Sequence, residues 1–146
     1  MKKIVGFFIL ILVFLACKQN IKTEDVALLN GYWEVKKVVF DSIEDKEYRM
    51  NEVYDYFNIV KDKGIRKKVM PQLDGTFLVN DVEEKVAVRY EDDRVFIDYT
   101  TPYMKWSEEI IALTNEELVL LNKDKTEYHY KRATAINLMG DGKEIK

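Results

Sequence analysis

The chain is poor in the residues on which catalysis and metal binding usually rest. Of its 146 residues, one is Cys and one is His, with six Gly and two Pro. A single cysteine, Cys17, excludes a disulfide within the chain. With Cys17 and His129 as its whole complement, a zinc site built from several Cys or His ligands is excluded, and no cofactor is expected. His129 alternates with Glu127 and Lys131 and should face water. There is no Gly-rich phosphate cradle and no nucleophile elbow. The acidic pairs Glu83-Glu84 and Asp92-Asp93 fall where turns are expected and read as solvated surface. They lack the carboxylate spacing and central Gly of a calcium loop. No catalytic constellation stands out, so an enzyme is not expected. Net charge is −3 and the charge is spread along the chain, which speaks against nucleic acid as a partner.

Aromatics are plentiful. Seven Phe, nine Tyr and two Trp set against few Gly and Pro favour strands. Hydrophobic residues make up 47% and charged ones 34%, the balance of one globular domain.

The first sixteen residues read as an address. Lys2 and Lys3 precede an uncharged apolar run over residues 4–16. As a helix that run spans about 20 Å, short of the roughly 30 Å hydrocarbon core. Residues 1–16 are therefore predicted to be a signal peptide. Phe14-Leu15-Ala16-Cys17 resembles a bacterial lipobox, although Phe14 and Leu15 are bulkier than usual. The resemblance implies acylation of Cys17, a membrane partner through the lipid, and residence in the bacterial cell envelope at the outer membrane. Each buried CH₂ of an acyl chain contributes about 0.8 kcal/mol to anchoring. Residues 17–28 form the expected tether, loose over 18–22. Thr23 is then expected to cap one helical turn that carries Val26 and Leu29 on one face.

Downstream, short runs of strand-forming residues follow one another. They cover 32–40, 46–50, 53–61, 65–70, 76–79, 85–90, 94–100, 105–113, 117–121 and 126–132. Lys36-Lys37 breaks the alternation of the first and predicts a bulge. Asp74-Gly75 is a hairpin signal. No clean helical period of ten residues occurs after Gly31, so βαβ units are excluded. Closely spaced strands with short turns predict an all-β, antiparallel, up-and-down β-barrel of about eight to ten strands. It should occupy residues 29–133, with 134–146 a tail.

Gly31-x-Trp33 at the head of the first strand, with Arg132 ending the last, is similar to the lipocalin kernel. The block from Leu113 through Tyr128-His129-Tyr130-Lys131-Arg132 looks like the C-terminal half of lipocalin-like lipoproteins of Bacteroidota. The resemblance implies that Arg132 stacks across Trp33 at the closed end of a barrel, within about 6 Å. Val35 should then be buried with Trp33 while Glu34 points to water. It further implies non-covalent binding or an envelope-associated role.

Two readings of the interior stay open. In the first, the barrel binds a small apolar or amphipathic ligand. In the second, aromatics fill the core and the barrel is a structural or protein-interaction module whose partner the sequence does not identify. Candidate interior residues are Phe40, Phe57, Phe77, Tyr99 and Trp106, one large aromatic per strand. Arg66-Lys67-Lys68 reads either as a charged edge strand or as the source of one cation, Arg66 or Lys67, that greets an anionic head group at the mouth.

Overall fold

The computed structural model describes residues 19–41, 45–47, 51–72, 74 and 76–133, apart from the side chains of Phe77, Asn80 and Asp81. Cys17, the leader over 1–16 and the tail over 134–146 lie outside the described residues. A short 3₁₀ helix, Thr23–Leu29, leads into nine strands. These are β1 (Gly31–Val39), β2 (Lys46–Glu47), β3 (Tyr54–Val60), β4 (Lys63–Pro71), β5 (Phe77–Glu91), β6 (Arg94–Thr100), β7 (Lys105–Leu113), β8 (Glu117–Leu121) and β9 (Glu127–Arg132).

Every strand pairing is antiparallel between neighbours, and β1 pairs with β9 as well as with β3. This closes a barrel of eight strands. The ninth, β2, adds only Lys46 and Glu47 alongside Val38 and Lys37. Closure removes the open edges that a meander of this length would otherwise expose. The bulge expected at Lys36-Lys37 is present, as a register shift between Val35 and Lys37 against β9. It keeps both Val35 and Val38 on the inner face despite the break in alternation.

The turns sort the barrel into two ends. Those after β3, β5 and β7 lie with the start of β1 at a closed end. Those after β4, β6 and β8 lie at the other end, termed the open end because no helix crosses it among the described residues. Tight closed-end turns at Lys61-Asp62 and Asp92-Asp93 place all four residues at positive φ. The short polar side chains of Asp suit this conformation. The 3₁₀ helix crosses the closed end, burying Val26 and Leu29. They join Trp33, Phe57, Ile59, Ile97, Ile110, Leu113, Leu118 and Leu120 in one core.

Several expectations need correction. The two runs read at 76–79 and 85–90 are one 15-residue strand, β5. Glu83 and Glu84 lie inside it and pair with Lys67 and Arg66 of β4, so charge pairing across the ladder holds what looked like a turn. Residues 19–22 are not a loose tether. The Gln19 side-chain amide donates to the Leu113 carbonyl (2.8 Å), and its carbonyl accepts from the Leu113 N–H (2.9 Å). Ile21 is buried in the core, so the folded domain begins well before residue 29. Helix capping falls one residue earlier than Thr23. The Asp25 carboxylate at N3 accepts the N–H of Lys22, the N-cap, at 2.9 Å, while the Lys22 side chain has no acceptor to offer the helix N–H groups in return.

Candidate ligand site inside the barrel

At the closed end, Arg132 lies with its guanidinium carbon 4.0 Å from the centre of the Trp33 ring. Its three nitrogens donate to main-chain carbonyls of Asn115 (2.8 Å), Asn30 (2.6 Å) and Leu28 (2.6 Å). Trp33 donates its indole N–H to the Leu29 carbonyl at 2.8 Å. Together these bonds tie the last strand, the helix and the first strand into a plug. Gly31 sits at φ +117°, and a Cβ there would meet Arg132 Nη1 at 2.8 Å. The glycine is thus required twice, by backbone conformation and by the close approach of Arg132.

Glu34 departs from expectation. It is buried, whereas Val35 is only partly so. Glu34 is on the outer face, but Asn51 folds over it. The Asn51 side-chain amide donates to Glu34 Oε1 (3.2 Å) and to the Val35 carbonyl (2.6 Å). Lys131 covers the other carboxylate oxygen at 3.2 Å. A charge on a strand's outer face is buried here because a loop and a cross-strand partner neutralise it.

The inward faces of the open half carry the unexpected chemistry. Arg66 of β4 is 6% exposed and points into the barrel. Its guanidinium lies 4.2 Å from the Tyr99 ring, 5.8 Å from Trp106 and 6.0 Å from Phe57. Tyr99 and Trp106 stack on each other at 5.0 Å. Arg66 Nε donates to Glu84, and Nη1 stands 3.7 Å from Glu108. Two residues further along β4, Lys68 pairs with the buried Asp55 of β3. Three carboxylates and two cations therefore share this half of the barrel.

Environment sets the ionisation of these groups. Burial works against the charge of Arg66, but Tyr99, the bond to Glu84 and the nearby Asp55 outweigh it and hold its pKa above the usual range. Burial raises the Glu108 carboxyl above its ordinary value, with Arg66 opposing. Burial likewise raises the Tyr99 and Tyr130 hydroxyls far up, so both stay protonated. The Tyr99 hydroxyl faces Glu108, yet neither it nor Glu108 Oε2 completes a hydrogen bond of good geometry.

Placement of the predicted candidates is mixed. Phe57, Tyr99 and Trp106 gather around the Arg66 guanidinium. Phe40 is half-buried just beyond the end of β1. The Phe77 side chain lies outside what is described, though its backbone pairs with Pro71 near the hairpin tip. Lys67 is a correction: it faces outward and pairs with Glu83 at 3.6 Å, since its neighbours Arg66 and Lys68 take the inner parity. Arg66 is inward but already engaged by carboxylates, so it is not the free cation expected for an anionic head group. Asp55, Glu84 and Glu108 were missed. The signal was parity: Asp55 shares a face with Phe57 and Ile59, and Glu108 with Trp106 and Ile110. Among the described residues no group of His, Cys, Asp and Glu is arranged to hold a metal ion. His129 contacts Glu127 at 2.9 Å on the outer side.

On one side of the open end, along the β4–β5 hairpin and the β6–β7 turn, Met70, Leu78, Val79, Val82, Tyr103 and Met104 are exposed, whereas the β8–β9 turn, Asn122-Lys123-Asp124-Lys125, is polar. On the outer wall next to this end, Glu83, Lys85 and Thr100 with Val82, Pro102 and Tyr103 line an open groove of about 700 Å³.

A lipocalin-like protein from Bacteroides uniformis is similar in structure at 12% identity, covering 73% of this chain and 99% of that one, with a TM-score of 0.47. A second protein, from Bacteroides eggerthii, is similar at 11% identity, covering 72% and 99%, with a TM-score of 0.46. Apocrustacyanin C2 is similar at 14% identity, covering 77% of this chain and 65% of its own, with a TM-score of 0.49. No curated protein sequence matches. The sequence pattern described as "Lipocalin-like domain" matches residues 29–120, from the end of the 3₁₀ helix to β8. With the Gly31–Trp33–Arg132 plug and the closed eight-stranded barrel, the chain belongs to the lipocalin-like domain family.

Proposed function

We propose that this chain is a lipid-anchored, non-enzymatic protein of the bacterial cell envelope, held at the outer membrane through Cys17, whose barrel takes a small amphipathic ligand at its open end. One observation carries the binding reading. The open half of the barrel holds a charged cluster with incompletely satisfied polar atoms beneath an apolar rim. A core built for stability alone gains nothing from burying Asp55, Arg66 and Glu108, because desolvating ionisable groups costs several kcal/mol each before pairing offsets it. Lipocalin-like membership is consistent with such binding.

The test is a titration of amphiphiles into protein stripped of bound lipid, followed by tryptophan fluorescence. A saturable change that disappears in Trp106→Phe, with the circular dichroism of the fold intact, supports a site beside the Tyr99–Trp106 stack. A flat titration across all head-group types leaves the second reading, a filled barrel serving as an interaction module. That reading is favoured by the contact of Phe57, Arg66, Tyr99 and Trp106 in the interior. Anchoring is tested separately. Metabolic labelling with an acyl precursor is expected to mark the wild type and to be lost in Cys17→Ser. Equal labelling of both overturns the anchor.

A further inference from the structure

We infer that the free edge of β5 beside the β6–β7 turn is a strand-addition site for an acidic peptide: an extended segment of another protein fills the place beside β5 that β6 leaves empty. The site lies on the outer wall and does not depend on what the interior holds.

A missing neighbour defines the place. Residues 77–84 of β5 run on past the last β5–β6 pair, Lys85 with Thr100, because β6 ends there. The chain turns back tightly, with the Thr101 N–H donating to the Met104 carbonyl at 2.9 Å. Over 77–84, β5 pairs with β4 on one side only. About half of the main-chain N–H and C=O groups in such a stretch point to the unpaired side. They form a template for one more strand. The other edge of the hairpin is closed to this use. Past the pair of Tyr54 with Val69, β4 offers only Met70 and Pro71, and Pro71 has no N–H to donate. The free stretch of β5 carries no proline. Its Glu83 and Glu84 do not guard the edge, since they are drawn across to Lys67 and Arg66 of β4. A bulge opposite Lys68 bends β5 between Val79 and Glu83. A guest strand therefore pairs first with the run next to the groove, residues 82–84.

Room for that strand already exists. The groove of about 700 Å³ lies between Val82 and Glu83 of β5 and Thr101, Pro102 and Tyr103 of the turn. A second hollow of about 410 Å³ continues along the wall and shares Glu83, Lys85 and Thr100 with it. Tyr103 is 95% exposed, so it stands beside the edge and does not cover it. Val82 and Tyr103 offer the guest apolar contact.

Charge selects the guest. Thr100 pairs with Lys85 on one side and Lys105 on the other, which sets two cations on the outward face at the foot of the groove. Neither has an ion-pair partner among the described residues. Carboxylates of the same wall are taken, Glu83 by Lys67 and Asp98 by Arg89. A chain of net charge −3 thus turns unneutralised cations towards this groove. Carboxylates on the outward side of a guest strand are attracted there, and lysines are repelled.

The experiment is calorimetry on the intact protein at pH 7 with three synthetic peptides of alternating Thr and Val. Each matches the length of the free edge and is kept below the concentration at which it self-associates. One carries Glu at its central Thr positions and one carries Lys there. The third is the Glu peptide with N-methyl groups on its central amides, which keeps the charge and removes the strand pairing. The Glu peptide is expected to bind about tenfold more tightly than the Lys peptide. N-methylation should abolish that binding. Amide exchange at Val82, Glu83 and Glu84 should slow in the complex while that of Ile97 is unchanged. In the double variant Lys85→Gln, Lys105→Gln, both exposed positions, the preference for Glu over Lys should disappear. Undiminished binding of the N-methylated peptide overturns strand addition. Equal or tighter binding of the Lys peptide overturns the charge assignment, and absence of binding by every peptide overturns the site. A peptide-free protein that sediments as a dimer, and as a monomer in Val82→Lys, puts a second copy on the edge and overturns the acidic guest. Each of these outcomes leaves the amphiphile titration above untouched, so the two readings fail separately.

Discussion

Arg132 does at one residue what a helix cap and a disulfide do elsewhere. Its three donors hold carbonyls from the 3₁₀ helix, the chain leading into β1 and the β7–β8 turn, while its plane rests on Trp33. Arg132→Met keeps the length of the side chain but strands three carbonyls. It should lower stability by about 2–4 kcal/mol, read from urea unfolding. Lysine cannot substitute, because an ammonium lacks the planar fork that reaches three acceptors while stacking. Gly31→Ala should cost about 1–3 kcal/mol through strain at positive φ and the contact with Arg132 Nη1. Glu108 and Asp98 respond to pH in opposite senses. Burial raises the Glu108 carboxyl above 4.5, so folding favours its protonated form. Its ionisation cost is absent below about pH 4.5 and appears as pH rises through the folded-state pKa. Glu108→Gln should therefore melt at or above the wild-type temperature at pH 7, with the difference closing near pH 4. The Asp98 carboxylate is held below its usual range, chiefly by the hydrogen bond from Arg89. Its contribution is present above pH 3.8 and is lost as pH falls through the folded value. Melting curves of Asp98→Asn and wild type should thus converge under acid.

Among the elements, β6 to β9 were legible because alternation and turn residues agreed. Val95, Ile97 and Tyr99 face in, and the expected range of β6, 94–100, is the observed Arg94–Thr100. The β4–β5 hairpin was not legible, because a strand that carries Glu83-Glu84 looks like a turn until its partners Lys67 and Arg66 are known. The interior charges were hidden for a related reason. A polar residue on the apolar parity of a strand reads as noise in the pattern, and only pairing across strands shows that several converge. Ile21 was obscured by polar neighbours on both sides. The segment around it offers a direct measurement. Gln19→Ala removes both bonds to Leu113 and should cost about 0.5–1.5 kcal/mol. Amide exchange at Leu113 should quicken while Ile97, on the neighbouring strand β6, keeps its protection. Unchanged exchange at Leu113 would show that the clasp contributes little.

For the molecule as a whole, the clasp between Gln19 and Leu113 would fix, in an anchored protein, something that no single strand can: which way the barrel looks. Gln19 is pinned at the closed end, two residues after Cys17, and two residues of chain reach about 7 Å at most. If Cys17 carries acyl chains, the closed end must rest close to the bilayer surface, with the mouth facing the opposite way. Strands of nine residues tilted as barrel strands are put the rim roughly 20–25 Å further out. A fluorophore on Tyr103→Cys should accordingly escape a quencher carried on lipid head groups, while one on Asp92→Cys is quenched. Reversal of that order would mean the clasp opens on the membrane. A protein so oriented samples the aqueous compartment and not the lipid beneath it. Its cargo would arrive from solution, and the membrane would serve as a mooring and not as the source.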